Sequence, residues 1–208
     1  MPSAPPRFLA LGDSYTIGEG VAPSGRWPAQ LAARLRAEGI AVADPRIVAV
    51  TGWTTDELAA AMDAATFAPP YALVTLLIGV NNQYRGRGLD DYRGEFRALL
   101  ERALALAGGE PRRTVVVSIP DWGMTPFARA QGRDAAAVAA AIDAFNAVNR
   151  EEAEARGARW VDVTDLSRER GDAPDMLAED GLHPSAAQYA RWTQRILPAA
   201  RAALARPR

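Results

Sequence analysis

The sequence predicts a three-layer α/β/α domain built on a mainly five-stranded parallel sheet. Five short apolar runs recur along the 208 residues, each bounded by glycine, proline or polar turn residues. Between them lie longer segments whose apolar positions return at helical spacing. Polar, glycine-punctuated turns follow the strands, which suits a sheet that presents ligand-binding loops at one rim. Alternation of strand and helix points to a parallel sheet covered on both faces. The length fits one domain, and no linker, internal repeat or low-complexity tract divides it.

Each element follows from its own residues. Phe8 to Leu11 is a short buried strand that Gly12-Asp13 breaks. Residues 26–39 place Trp27, Leu31 and Leu35 on one helix face, with Gly39 suited to the end. Ile47 to Val50 is the second strand. Thr54 or Thr55 can cap a helix over 56–65, whose first turn carries Asp56 and Glu57. Ala72 to Ile78 is the strongest strand signal, a continuous apolar run fit for burial on both faces. A helix over 90–107 follows, with Phe96, Leu99, Leu100, Ala103 and Leu104 inward, and Gly108-Gly109 closes it.

Thr114 to Ile119 is the fourth strand, stopped by Pro120. Residues 134–155 form a long helix with a Val138, Ile142 and Phe145 stripe. Trp160 to Val163 is the fifth strand. The last helix is expected to run from Pro184, with Tyr189, Trp192, Thr193 and Ile196 inward. Pro198 is expected to kink it or end it early, leaving the Ala/Arg-rich tail as solvated helix or fraying end.

Composition narrows the function classes. Hydrophobic residues make up 49 % and charged residues 24 %, ordinary for a soluble globular protein. A net charge of −1 offers no general attraction to nucleic acid or an anionic membrane surface. No apolar run approaches the roughly 18 residues that insertion across a bilayer requires. Residues 1–6 lack a signal-peptide apolar core, so the cytoplasm is the default location unless a leader has been trimmed. Oligomeric state is not readable from these features, and a monomer is the default.

Three absences say more. With no cysteine, disulfides, thiol nucleophiles and cysteine-ligated zinc or iron–sulfur sites are excluded. Every cationic side chain other than histidine is arginine, which removes the Walker-A lysine and Schiff-base chemistry. His183 is the single histidine, so a multi-histidine metal site is excluded and histidine-dependent catalysis must pass through that residue. Gly18, Glu19 and Gly20 do not complete a dinucleotide-binding Gly-x-Gly-x-x-Gly. Ser14 does not sit in Gly-x-Ser-x-Gly. No cofactor and no metal are expected.

Ligands of an open parallel sheet bind beyond the carboxyl ends of its strands. Gly12-Asp13-Ser14 follows the first strand, Thr51-Gly52-Trp53-Thr54 the second and Gly79-Val80-Asn81-Asn82-Gln83 the third, while Asp180-Gly181-Leu182-His183-Pro184-Ser185 precedes the last helix. In this order and over nearly the whole chain, these blocks resemble those of the SGNH, or GDSL-type, hydrolase family. The initial Gly-Asp-Ser paired with the terminal Asp-x-x-His-Pro carries most of the resemblance. Two positions depart from it. Tyr15 stands where the GDSL signature has leucine, and Asn82 where many members have aspartate.

The resemblance implies a flavodoxin-like fold and a metal-independent ester hydrolase acting on a small-molecule ester. Ser14 would be its nucleophile, and His183 and Asp180 would complete a triad. The residues allow the same chemistry. A serine hydroxyl needs a base to take its proton, and nothing near Ser14 in sequence supplies one. Asp180, on the turn that carries His183, can reach the imidazole Nδ1–H and hold its tautomer. The resemblance assigns the oxyanion hole to the backbone N–H of Ser14, the backbone N–H of Gly52 and the side-chain amide of Asn81.

Plainer roles compete at every position. Gly-Asp-Ser is also turn and cap chemistry, with Asp13 making structural bonds there, and His183 can be a helix-entry residue before Pro184. Asp180 can be a solvated loop carboxylate, Gly52 a strand-ending turn and Asn81 an Asx turn. Trp53, Tyr84, Trp122, Met124 and Phe127 lie in loops after strands and are candidates for the substrate pocket, or else rim and core. Arg85 and Arg87 can recognise an anionic group or simply form a solvated face. A serine esterase is the expected function. Thioester hydrolysis or acyl transfer on the same site, and a non-catalytic flavodoxin-like binding module, are the alternatives.

Overall fold

The computed structural model describes residues 4–205. Its sheet has five strands, β1 (Phe8–Gly12), β2 (Arg46–Ala49), β3 (Leu73–Leu77), β4 (Thr114–Val117) and β5 (Arg159–Val161), in the order β2-β1-β3-β4-β5. All pairings are parallel, with Leu9 beside Arg46 on one side and Val74 on the other. The central β1 and β3 are buried along their whole length, while the edge strands β2 and β5 are only partly covered. That gradient matches the text of the strands: continuous apolar runs inside, mixed ones at the edges.

Nine α-helices connect the strands among the described residues: α1 (Ser14–Ile17), α2 (Trp27–Ala37), α3 (Thr55–Ala64), α4 (Val80–Tyr84), α5 (Leu89–Leu106), α6 (Pro126–Ala130), α7 (Ala135–Ala155), α8 (Thr164–Glu169) and α9 (Ala186–Leu204). One face of the sheet carries α2 and α9, and the other carries α3, α5 and α7. Their buried stripes meet the strands in one apolar core that includes Trp27, Leu31, Phe96, Ile142 and Trp192. The strand and long-helix expectations hold to within a residue or two, the entry to the last helix and the ends of the fourth and fifth strands each lying two residues off.

Local chemistry sets the ends. Thr54 and Glu57 form a capping box at the start of α3, and the Asp134 carboxylate accepts from the N–H groups of Ala136 and Ala137 to open α7. Pro184 is not the first residue of α9. It pairs with Leu177 in an isolated antiparallel bridge, and Ser185 is the cap, accepting from the N–H of Gln188. Nor does Pro198 end the helix, which continues to Leu204. Ala200 and Ala203 beyond it are buried, and that packing outweighs the missing N–H. The fourth and fifth strands stop at Val117 and Val161 because the chain turns there to bond through side chains: Ser118 Oγ accepts from the N–H of Val163, and the Asn146 amide brackets Ile119.

Four short helices have no counterpart in the sequence pattern. α1, α4, α6 and α8 are four to six residues long, too short for a helical period to show. Three of them follow directly on the carboxyl ends of β1, β3 and β5, the rim where the site lies.

Candidate active site

Ser14 sits at the first turn of α1, immediately past β1. The Asp13 carboxylate Oδ1 accepts from the N–H of Tyr15 at 3.0 Å, and the Asp13 carbonyl accepts from the N–H groups of Thr16 and Ile17. Gly12 permits this sharp exit, because a Cβ there would come within 2.4 Å of the Leu77 carbonyl and closer still to Thr16 Oγ1. Ser14 is largely buried, with one opening toward the pocket described below. The position lies between β1 and β3, where strand order reverses and ligands of doubly wound sheets bind.

The Asp180–His183 turn is built as one rigid unit. Asp180 Oδ1 accepts from the N–H groups of Leu182 and His183, both at 2.9 Å, while Oδ2 lies 2.5 Å from His183 Nδ1. Burial alone would raise the Asp180 pKa, but the bonds from the His183 ring and from the N–H groups of His183 and Leu182 hold it below its ordinary value. An ionised Asp180 fixes the proton on Nδ1 and leaves Nε2 as the free ring nitrogen. Behind the ring, the N–H of Ala178 donates to the His183 carbonyl at 2.7 Å, and Tyr15 packs at 5.3 Å between ring centroids.

A pocket of about 140 Å³ joins these parts. Ser14, Asn81 and His183 line it together with Tyr15, Val80, Tyr84, Trp122, Phe127 and Leu182. No hydrogen bond joins Ser14 to His183 among the described residues; the two side chains face the same space. Tyr84 and Trp122 meet edge to face at 5.3 Å, and Trp122 Nε1 donates to Gln83 Oε1. Arg133 stacks on the outer side of both rings. Trp53 and Met124 are not among the lining residues: Trp53 packs against the core and Met124 is exposed. Tyr15, Val80 and Leu182 line the pocket without having been candidates, although each stands beside a motif residue.

Asn81 donates one amide N–H to the Trp53 carbonyl at 2.9 Å, which leaves the second N–H of its amide. Gly52 has φ +87°, a backbone setting that favours glycine. It does not line the pocket but sits one residue before Trp53, on the loop Asn81 touches. Asn82 is fully buried and brackets Thr55: Oδ1 accepts from the Thr55 N–H at 3.1 Å, and Nδ2 donates to Thr55 Oγ1 at 2.6 Å. Arg85 and Arg87 are engaged rather than free. Arg85 Nη2 donates to the Gly52 carbonyl at 2.6 Å, and Arg87 pairs with Asp56 at 2.6 Å.

Asp13 is the most perturbed acid beside Ser14. Burial pushes its pKa up to about 7, against the bond from the Tyr15 N–H, and its second oxygen has no hydrogen-bond partner. Among the described residues no cluster of three or more histidine, cysteine, aspartate or glutamate side chains is placed to hold a metal ion. Among the described residues no helix is long and apolar enough to cross a membrane.

A β2-β1-β3-β4-β5 parallel sheet with serine, histidine and asparagine side chains gathered beyond its strand ends is a flavodoxin-like α/β arrangement with a polar site at its switch point. Residues 10–191 match the GDSL-like lipase/acylhydrolase family, and the chain belongs to that family of ester hydrolases. Among solved structures it is similar to TesA, with 22 % identity, TM-score 0.71, and 93 % of this chain and 97 % of that one covered. It is similar to the psychrotrophic esterase EstA from Pseudoalteromonas sp., with 17 % identity, TM-score 0.70, and coverage of 94 % and 96 %. A variant of the Geobacillus acetyl-xylooligosaccharide esterase Axe2 aligns with 21 % identity, TM-score 0.71, and 95 % of each chain covered. No curated protein matches the chain.

Proposed function

We propose that this chain is a serine esterase whose one domain carries a Ser14–His183–Asp180 triad. The observation that carries it is the 2.5 Å contact between Asp180 Oδ2 and His183 Nδ1, on a ring that faces the same pocket as Ser14. Ser14 Oγ attacks the ester carbonyl while His183 Nε2 takes its proton, and Asp180 stabilises the imidazolium that forms. The oxyanion is received by the N–H groups of Ser14 and Gly52 and the second amide N–H of Asn81. Collapse expels the alcohol, protonated by His183. Water, deprotonated by the same nitrogen, then attacks the acyl-serine and frees the acid.

The pocket favours a small apolar group on one side of the ester bond. Its volume of about 140 Å³ is close to the roughly 150 Å³ of an apolar cavity that holds one benzene ring. Its walls are largely apolar, formed by Val80, Tyr84, Trp122, Phe127 and Leu182, with Ser14, Asn81 and His183 also on the lining. Short aliphatic or single-ring aryl esters fit that description. Acetylated xylooligosaccharide, the substrate named for Axe2, belongs in the comparison panel.

A fluorophosphonate probe tests the mechanism. The expected result is a stoichiometric adduct on Ser14, lost in Ser14→Ala and in a folded His183→Asn. A folded wild-type protein that takes no adduct there would overturn it. p-Nitrophenyl esters from acetate to palmitate test the substrate class, with rates expected to peak among the short chains. Turnover of a thioester, or acyl transfer to an added alcohol, in preference to hydrolysis of these esters would redirect the assignment to those reactions.

A further inference from the structure

The loop that carries Gly52 belongs to no strand or helix, and a glycine at φ +87° has no side chain to restrict its backbone. A turn bond from the Trp53 N–H to the Val50 carbonyl at 3.3 Å closes the loop on itself, and the rest of its hold comes from side chains outside it. The structure supplies that hold from α4 and the residue that follows it. Asn81 donates to the Trp53 carbonyl, Asn82 brackets Thr55, and Arg85 donates to the Gly52 carbonyl. Of these, only the Arg85 contact reaches Gly52 itself. The same Nη2 atom lies 3.4 Å from Glu57 Oε2, and Glu57 in turn accepts from the Thr54 N–H at 2.8 Å. One guanidinium thus anchors the loop at Gly52 directly and at Thr54 through Glu57.

Resting on the proposal that the Gly52 N–H is an oxyanion donor, we infer that Arg85 is a positioning residue for that donor. It does not line the pocket, so it touches neither substrate nor the reacting atoms. Its bond holds the carbonyl of the Gly52–Trp53 peptide, and so limits the rotation about Gly52 that would swing the adjoining Thr51–Gly52 peptide and its N–H. A charge-assisted bond of 2.6 Å is well suited to this, and the two N–H bonds of the one Nη2 group can serve both the carbonyl and the Glu57 carboxylate. A lysine ammonium is a point charge with three donors on a shorter stem, and its shorter reach would replace only part of that hold.

A donor that is loosened rather than removed should cost less than the roughly 10²–10³ in kcat seen when one is deleted. Arg85→Ala and Arg85→Gln are therefore expected to lose about tenfold in kcat with KM changed by no more than about twofold, the pattern of an interaction made in the transition state. Affinity for a trifluoromethyl ketone that forms a tetrahedral adduct on Ser14 should fall by a similar factor, and Arg85→Lys should recover part of both losses. Glutamine is uncharged and two bonds shorter, so it loses the reach to the Gly52 carbonyl while staying polar, and Arg85→Gln decides the matter should the alanine variant fail to fold.

Unchanged kcat and unchanged ketone affinity in a folded Arg85→Gln would overturn the inference, as would a rise in KM alone. The two levels separate cleanly. Wild-type protein that labels at Ser14 while the Arg85 variants keep full kcat refutes the role of Arg85 only. Wild-type protein that never labels at Ser14 refutes the esterase mechanism, and this inference with it.

Discussion

Asp13 offers the sharpest quantitative test of how this site is packed. Its carboxyl is buried, one oxygen caps α1 through the Tyr15 N–H, and the other meets no hydrogen-bond donor. Burial lifts its pKa from 3.8 to about 7. For an acid raised on folding, the native state binds the extra proton between the two values. The derivative of unfolding free energy with pH is then negative, and stability falls as pH rises from about 4 to about 7. Each pH unit in that window is worth about 1.4 kcal/mol. The full span removes up to roughly 4 kcal/mol, most of it above pH 5 if the native value lies near 7.

Asp13→Asn keeps an oxygen for the Tyr15 N–H and replaces the ionisable oxygen with a neutral amide. Urea unfolding of both proteins at several pH values isolates the effect, since carboxylates elsewhere cancel in the difference. The variant is expected to match wild type near pH 4 and to exceed it by about 3 kcal/mol at pH 8.5, the gap opening between pH 5 and 7. Stability curves that stay parallel within about 0.5 kcal/mol from pH 4 to 8.5 would show that the Asp13 charge is solvated or paired after all.

Other outcomes are expected at sites with different physics. Asn81→Ala should lower kcat about 10²–10³-fold with an unchanged circular dichroism spectrum, read by ester hydrolysis at saturating substrate. Glu152, nearly buried on α7, bonds Arg97, Arg93 and Arg156. Arg97 chiefly draws its pKa down to about 2, and its contribution is present above the ordinary value of 4.5 and lost as pH falls toward 2. Glu152→Gln should therefore cost roughly 2 kcal/mol at pH 7, after discount for the partly exposed arginines, and the deficit should vanish in acid unfolding curves. Tyr84 is 39 % exposed on the pocket wall, so Tyr84→Ala should keep stability within about 1 kcal/mol and shift the chain-length optimum to longer p-nitrophenyl esters.

The layers of the fold were legible wherever a residue's partner lies close along the chain. A strand such as 72–78 announces its burial by composition, and the stripe of Phe96, Leu99 and Ala103 announces its helix by period. The short helices after β1 and β3 do not, because four or five residues hold less than two turns and their signal is the sheet they leave. The path of α9 past Pro198 was illegible for a related reason. Local propensity favours a stop there, and only contacts with α2 and the sheet reveal what Ala200 and Ala203 gain by continuing.

At the site the same distinction separates side chains that react from those that hold them. Asp180 and His183 are three residues apart, so their pairing could be anticipated from one turn. Arg85 and Gly52 are 33 residues apart in sequence, and an arginine near an asparagine looks like any solvated cation until folding brings that carbonyl to it. Asn82 was a departure from the family pattern whose effect sequence could not decide. In place it supplies the acceptor an aspartate would have offered to the Thr55 N–H and adds a donor to Thr55 Oγ1. In a fully enclosed position a neutral amide also avoids the desolvation cost that an ionised carboxylate would meet. Asn81 and Asn82 of α4, with Arg85 just beyond it, therefore tie the 52–55 segment to the chain that leaves β3 through short polar contacts. Such contacts depend steeply on distance and angle, so a small displacement of α4 is felt directly at the Gly52 peptide.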